Sequence, residues 1–152
     1  MPGTDHNGAA ALTAETIIKV LELKRHPEGG WYREVFRAPD GPSGPGAITS
    51  IYFLLTRGGR SHWHRVLESD EVWNYHGGAP LLLKQAKQGG PVTELVLGLD
   101  ITGGQHPQWT ISAGQWQAAE SLGDWTLVGC SVGPAFQFSK FELAPPGWNP
   151  EK

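Results

Sequence analysis

From Trp31 onward, apolar and polar residues alternate in short runs broken by glycine pairs, a rhythm that predicts a β protein. Trp31–Arg37 sets Trp31, Arg33 and Val35 against Tyr32, Glu34 and Phe36, because successive side chains of a strand point to opposite sides. Further strands are expected at Ile48–Leu55, Ser61–Val66, Glu71–His76, Leu81–Lys87, Thr93–Leu97, Gln108–Ile111, Gln115–Ala119, Trp125–Val132 and Gln137–Leu143. Turn signals separate them, at Gly58-Gly59, Gly77-Gly78, Gly89-Gly90, Gly103-Gly104 and Gly123-Asp124. One segment follows a helical period instead, with Ala14, Ile17, Ile18 and Leu21 on one face and Thr13 as N-cap. Its end is expected near Lys24-Arg25, where cations suit a helix C-terminus and Pro27 blocks continuation. Residues 1–11, small and polar, are read as a disordered tail, and residues 12–152 as a single domain. With no alternation of helix and strand, the fold is expected to be an all-β sandwich or barrel carrying one N-terminal helix.

Composition narrows the function classes. The 152 residues suffice for a core without disulfides, and the single cysteine excludes an intramolecular disulfide. Cys130 lies in the apolar run from Thr126 to Val132 and is expected to be a buried structural thiol. A net charge of −3 without a basic run argues against a nucleic-acid partner. No apolar stretch is long enough for a membrane span, and Met1 to Ala10 lacks a signal pattern, so a cytoplasmic protein without membrane contact is expected.

The residues with chemical promise begin at His62-Trp63-His64. If Ser61–Val66 is a strand, the two imidazoles share a face, and burying both requires partners for both. With a carboxylate they form a ligand set suited to a divalent first-row metal, and His62, His64 and Glu71 are the expected ligands. Glu68 is the competing carboxylate, closer in sequence but at a turn. Asn74 and His76 have a parity opposite to Glu71 and would need a bulge to face the same interior. His76 is a candidate ligand or acid–base group, as is His64. Tyr32, Glu34 and Tyr52 are polar residues on otherwise apolar strands and are expected to line a ligand cavity. Trp73, Asn74 and Gln117 complete the expected ligand-binding set. His26-Pro27-Glu28-Gly29-Gly30 reads either as a pocket wall or as a rigid corner with His26 capping the helix, the second being favoured. His106 is expected to be exposed.

Gly58/Gly59, His62-x-His64, a carboxylate and Gly77/Gly78 resemble the first motif of the cupin superfamily. Ser112-Ala113-Gly114-Gln115-Trp116-Gln117 resembles the second, with Gln117 where that family has histidine. Almost the whole chain, from about Thr13 to Pro150, resembles the small branch called cupin five, a domain of unknown function. The resemblance rests on His26-Pro27-Glu28-Gly29-Gly30-Trp31-Tyr32-Arg33-Glu34, Ser61 to Val66, Asp70 to Trp73, Gly78 to Leu81 and Phe136 to Trp148. Asn74 stands where members usually carry histidine, and Ala135 where they carry glycine. The resemblance implies a jelly-roll β-barrel (the double-stranded β-helix), RmlC-like and similar to sugar-nucleotide epimerases, commonly a homodimer. For a metal-free enzyme it implies a histidine as base with Tyr32 or Tyr52 as acid.

Two functions are therefore expected. One is an enzyme, an isomerase, epimerase or oxygenase, acting on a small sugar-, nucleotide- or acid-like metabolite with Mn, Fe, Ni or Zn, or without metal. The other is a non-catalytic, metal-free binder of such a ligand.

Overall fold

A computed structural model describes residues 11–152, so the expected tail at 1–11 lies, apart from Ala11, outside the described residues. Among the described residues one α-helix, α1 (Ala14–Val20), precedes eleven strands. In chain order these are β1 (Lys24–Arg25), β2 (Trp31–Arg37), β3 (Thr49–Thr56), β4 (Arg60–Val66), β5 (Asp70–Gly78) and β6 (Leu81–Ala86). There follow β7 (Thr93–Leu97), β8 (Gln108–Ile111), β9 (Trp116–Ser121), β10 (Trp125–Gly133) and β11 (Phe141–Leu143). Two antiparallel sheets result, ordered β1-β2-β3-β10-β5-β8 and β11-β4-β9-β6-β7. They form the expected jelly roll, although hydrogen bonds do not close them into one continuous barrel.

Alternation along the strands decides what lies between the sheets. Phe53 and Leu55 of β3, Trp73 of β5, Val128 and Cys130 of β10 meet Leu81 and Leu83 of β6, Leu97 of β7 and Ala119 of β9 in one buried cluster. The intervening residues face outward. Leu54 of β3 is covered by Ile17 of α1 and by Leu23, with Tyr52 packed against them. On the outer face of the smaller sheet Trp63, Trp116 and Ala118 are covered by Ala144 and Trp148 of the C-terminal segment.

Thr13 caps α1 as expected, its hydroxyl accepting the Thr16 N–H at 3.2 Å. The helix does not reach Lys24-Arg25. It stops at Val20 because Glu22 turns left-handed at φ 56°, so that the Leu23 N–H reaches the Ile18 carbonyl and the Glu22 N–H that of Lys19. Those paired bonds end a helix whatever residue supplies the positive φ, and a glutamate gives no sequence warning. Lys24 and Arg25 are thereby freed to pair with Tyr32 and Trp31. The expected strand Gln137–Leu143 is also corrected: Phe138–Lys140 winds into a 3-10 turn and only Phe141–Leu143 joins a sheet, against β4. Among the described residues no helix is long and apolar enough to cross a membrane.

Candidate functional site

The site begins with a bulge. β4 pairs Ser61 with Ala119 and His64 with Gln117, three steps on one strand against two on the other. The extra residue breaks the alternation, so that Ser61, His64 and Val66 are buried on the inner side while Trp63 joins the outer aromatic cluster. His62 leaves the interior as well. Its Nε2 lies 2.9 Å from the Pro145 carbonyl, and its ring lines a shallow outer pocket with Trp63, Lys84, Ala118 and Glu120. The expectation of two histidines on one face therefore fails, because a bulge has no signature in residue spacing.

His64 is held from the opposite sheet. The turn between β1 and β2 presents Glu28, whose Oε2 lies 2.5 Å from His64 Nδ1 and accepts the Ser61 hydroxyl at 3.0 Å. The same His64 Nδ1–H reaches the His62 carbonyl at 2.8 Å. Every hydrogen bond of the His64 side chain among the described residues is made by Nδ1, and the ring lines a cavity. Two glycines let the turn approach so closely. A Cβ on Gly29, at φ 105°, would stand 2.0 Å from the Arg60 carbonyl oxygen, and one on Gly30 would stand 2.7 Å from Leu55. The Glu28 carbonyl also accepts the His62 N–H at 2.8 Å, which ties the turn to the bulge.

Burial alone would discharge His64, but the Glu28 carboxylate beside it and a second carboxyl, Glu71, outweigh burial and push its pKa up to about 9. Burial opposes ionisation of Glu28 too, yet the His64 charge and hydrogen bond hold its carboxyl below the ordinary range. Glu71 behaves differently. Burial and the nearby Glu28 charge outweigh the pull of His64 and push Glu71 up to about 7. One carboxylate is thus committed to the imidazolium and the other titrates near neutrality.

Glu71 is fixed by a buried relay. The Trp73 indole N–H donates to Gln117 Oε1 at 2.7 Å, and Gln117 Nε2 donates to Glu71 Oε1 at 2.8 Å. An indole can only donate, so the amide must turn its oxygen to Trp73 and its NH₂ to Glu71. Cys130, buried as expected, faces Glu71, and burial holds it a neutral thiol.

The cavity lies between these groups and an apolar wall. Its empty space is about 540 Å³ with the open mouth included. His26, Glu28, Tyr32, Glu34, His64 and Glu71 line it together with aliphatic and phenylalanine side chains. His26 is a wall of this cavity and does not cap the helix: its Nδ1 accepts the Glu28 N–H at 3.1 Å and its ring stands edge-on to Tyr32 at 4.5 Å. Burial holds its pKa down, so the imidazole is neutral. Glu34 sits at the rim, bound through both oxygens to Arg37 at 2.7 and 3.0 Å.

Of the residues singled out from sequence, His64, Glu71, Tyr32 and Glu34 come together at the cavity, with Trp73 and Gln117 directly behind Glu71. Tyr52 does not, since it packs on the outer face under α1. Asn74 and His76 also lie outside: the bulge between β5 and β10 falls at His76, which has no partner on β10, and it turns neither residue inward. His76 is exposed over Gly129, where a Cβ would meet its ring at 2.4 Å. Glu68 is exposed and pairs with Lys140 at 3.2 Å, so Glu71 is the inward carboxylate. His106 is exposed as expected.

The expected metal set does not fit. His62 is turned to the outer face, Gln117 spends its amide oxygen on Trp73, and His64 Nδ1 is bound to Glu28. Among the described residues no cluster of three or more histidine, cysteine, aspartate or glutamate side chains is arranged to hold a metal ion. Sequence reading missed Glu28, the central partner of His64. The signal available was a glutamate inside a Pro-Glu-Gly-Gly turn, whose two glycines announce a close backbone approach.

Comparison with known proteins bears on this geometry. The family described as cupin superfamily (DUF985) matches residues 15–144. A solved structure from Shewanella oneidensis is 40% identical, covering 88% of this chain and 85% of its own, with a TM-score of 0.82. A hypothetical protein from Leishmania major is 34% identical over 88% of both chains, with a TM-score of 0.79. A Bacillus subtilis oxalate decarboxylase variant shares the fold at a TM-score of 0.58 and 14% identity, over 76% of this chain and 28% of its own. No curated protein matches the chain.

Proposed function

The chain belongs to the cupin superfamily, in the family DUF985, and from that premise we propose that its cavity binds a small carbonyl-bearing metabolite and moves a proton on it without a metal. The observation that carries this reading is the pairing of Glu71, poised near pKa 7, with an imidazolium whose Nδ1 is occupied by Glu28. A base works best when its pKa lies near the working pH, because both protonation states are then populated. Glu71 is the group that removes and returns the proton. The His64 Nε2–H, on the ring edge away from the Nδ1 that Glu28 and the His62 carbonyl hold, supports the negative charge that develops on the carbonyl oxygen. Glu28 keeps that ring charged and oriented, and Gln117 keeps Glu71 aimed. Such a pair serves an isomerisation or epimerisation, in which a C–H bond is broken and remade.

The test is exchange of carbon-bound protons of small carbonyl compounds into D₂O, with the protein dialysed against EDTA. Exchange that survives EDTA and disappears in Glu71→Gln supports the reading. Exchange that EDTA abolishes and a divalent metal restores overturns it.

The non-catalytic reading is favoured by the placement of Tyr52 and His76 outside the cavity, which removes two of the expected acid–base candidates and leaves His64, Glu71 and Tyr32 in the lining. Binding without any exchange would select it. A homodimer is proposed as well, supported by the outer edge of β2, which is unpaired beyond Tyr32 and exposes Val35 and Phe36.

A further inference from the structure

The cavity walls say more about the ligand than its charged floor does. Ile51 and Val132 of one sheet and Val66 and Phe141 of the other line it, together with Phe136 and Phe138. The three phenylalanine rings stand nearly at right angles to one another, with centroids 4.9 to 5.9 Å apart. Phe138 is the outermost. It is 55% exposed at the mouth, on the 3-10 turn, and so retains apolar area that a bound molecule can cover.

Several polar groups of the lining are already paired. Thr49 Oγ1 accepts the Phe136 N–H, Glu34 is bound to Arg37, His26 Nδ1 accepts the Glu28 N–H, and Glu71 holds Gln117 and the Cys130 thiol. His64 Nε2, His26 Nε2 and the Tyr32 hydroxyl enter none of the hydrogen bonds among the described residues. A sugar placed here would set most of its hydroxyls against the side chains of Ile51, Val66, Val132, Phe136, Phe138 and Phe141. A small polar head group can meet His64 while its body continues outward along Phe138 at the mouth.

We infer that the cavity takes a carbonyl compound with an apolar or aromatic body and hydrogens on the carbon beside the carbonyl, and not a polyhydroxylated sugar. This rests on the reading of Glu71 and His64 as an acid–base pair. In the step it implies, the Glu71 carboxylate takes the α-proton and the C–H electron pair becomes the C=C bond of an enol. The carbonyl π pair moves to oxygen, which is met by the His64 Nε2–H. Return of the proton, or of a deuteron from D₂O, restores the ketone, and no oxidant or reductant is needed.

The experiment uses the full chain in D₂O with two probes, acetophenone and D-fructose. Saturation transfer reads binding, and loss of the acetophenone methyl signal reads α-exchange. Expected are transfer to the phenyl protons, methyl deuteration roughly a hundredfold faster than in buffer, and neither effect for D-fructose. Phe138→Ala, at an exposed position, should weaken acetophenone binding about tenfold, the scale of one lost aromatic contact. Acetophenone that binds without exchanging leaves the ligand class standing and overturns the acid–base reading alone. Binding of D-fructose, or no binding of acetophenone, overturns the ligand class.

Discussion

Glu28 Oε2 lies 2.5 Å from His64 Nδ1, so that a turn at the edge of one sheet meets the middle of a strand in the other. The contact crosses the sandwich and joins two side chains that are both buried. Breaking such a pair by removing one partner leaves a charge in the interior. Glu28→Gln is therefore expected to destabilise the protein by about 3–5 kcal/mol, and to return His64 to a neutral ring at pH 7.5. Urea denaturation and a histidine NMR titration check the two halves separately.

Gly29→Ala tests how the contact is made. The added methyl would stand 2.0 Å from a backbone oxygen of β4, at a φ that alanine rarely adopts. The cost is expected to be about 2–4 kcal/mol, strain and displacement of the turn together. The His64 titration should move down with it, since Glu28 is pulled away. Gly41→Ala, where a Cβ meets nothing within 4 Å, should leave both unchanged and serves as the control.

Strand positions were legible because a half-buried strand must alternate. β2 and β7 fall where the pattern puts them, and Glu71 faces inward as its parity requires. What could not be read are the places where one residue breaks the period. The bulge between Ser61 and His64 turns His62 outward, and Glu22 ends α1 early, in both cases through backbone torsions that their side chains do not advertise. Glu28 was hidden for another reason. Its meaning depends on a partner 36 positions away in sequence, which local spacing does not reveal.

Trp73→Phe probes the relay behind Glu71. It removes the N–H that holds the Gln117 amide, leaving a buried acceptor unpaired at a cost of about 1–3 kcal/mol. The amide is then free to turn its oxygen toward Glu71, which favours the protonated carboxyl. Carboxyl ¹³C shifts should show Glu71 titrating above about 7, its value in the intact relay. An unchanged titration would mean that Gln117 is held by packing alone.

Stability should depend on pH in an unusual direction. Glu71 is raised from 4.5 to about 7 on folding and His64 from 6.5 to about 9. Both folded-state groups hold a proton that the unfolded chain has lost, so the Glu71 contribution declines from pH 4.5 to 7 and the His64 contribution from 6.5 to 9. Glu28, held low, acts oppositely and costs stability as pH falls below its ordinary 4.5, and His26, also held low, does so as pH falls below 6.5. Thermal melting should accordingly fall between pH 7 and 9, where the His64 contribution is lost. In Glu71→Gln the opposing Glu71 decline is gone, and stability should rise with pH between 4.5 and 6.5.

The most direct measurement is ¹⁵N NMR of the histidine side chains from pH 5 to 10, before and after addition of zinc. The account predicts that His64 carries protons on both ring nitrogens through pH 8, titrates near pH 9, and keeps the same spectrum with zinc present. A His64 ring that is neutral at pH 7, or one whose Nε2 resonance moves to a metal-bound position together with that of His62, would contradict it.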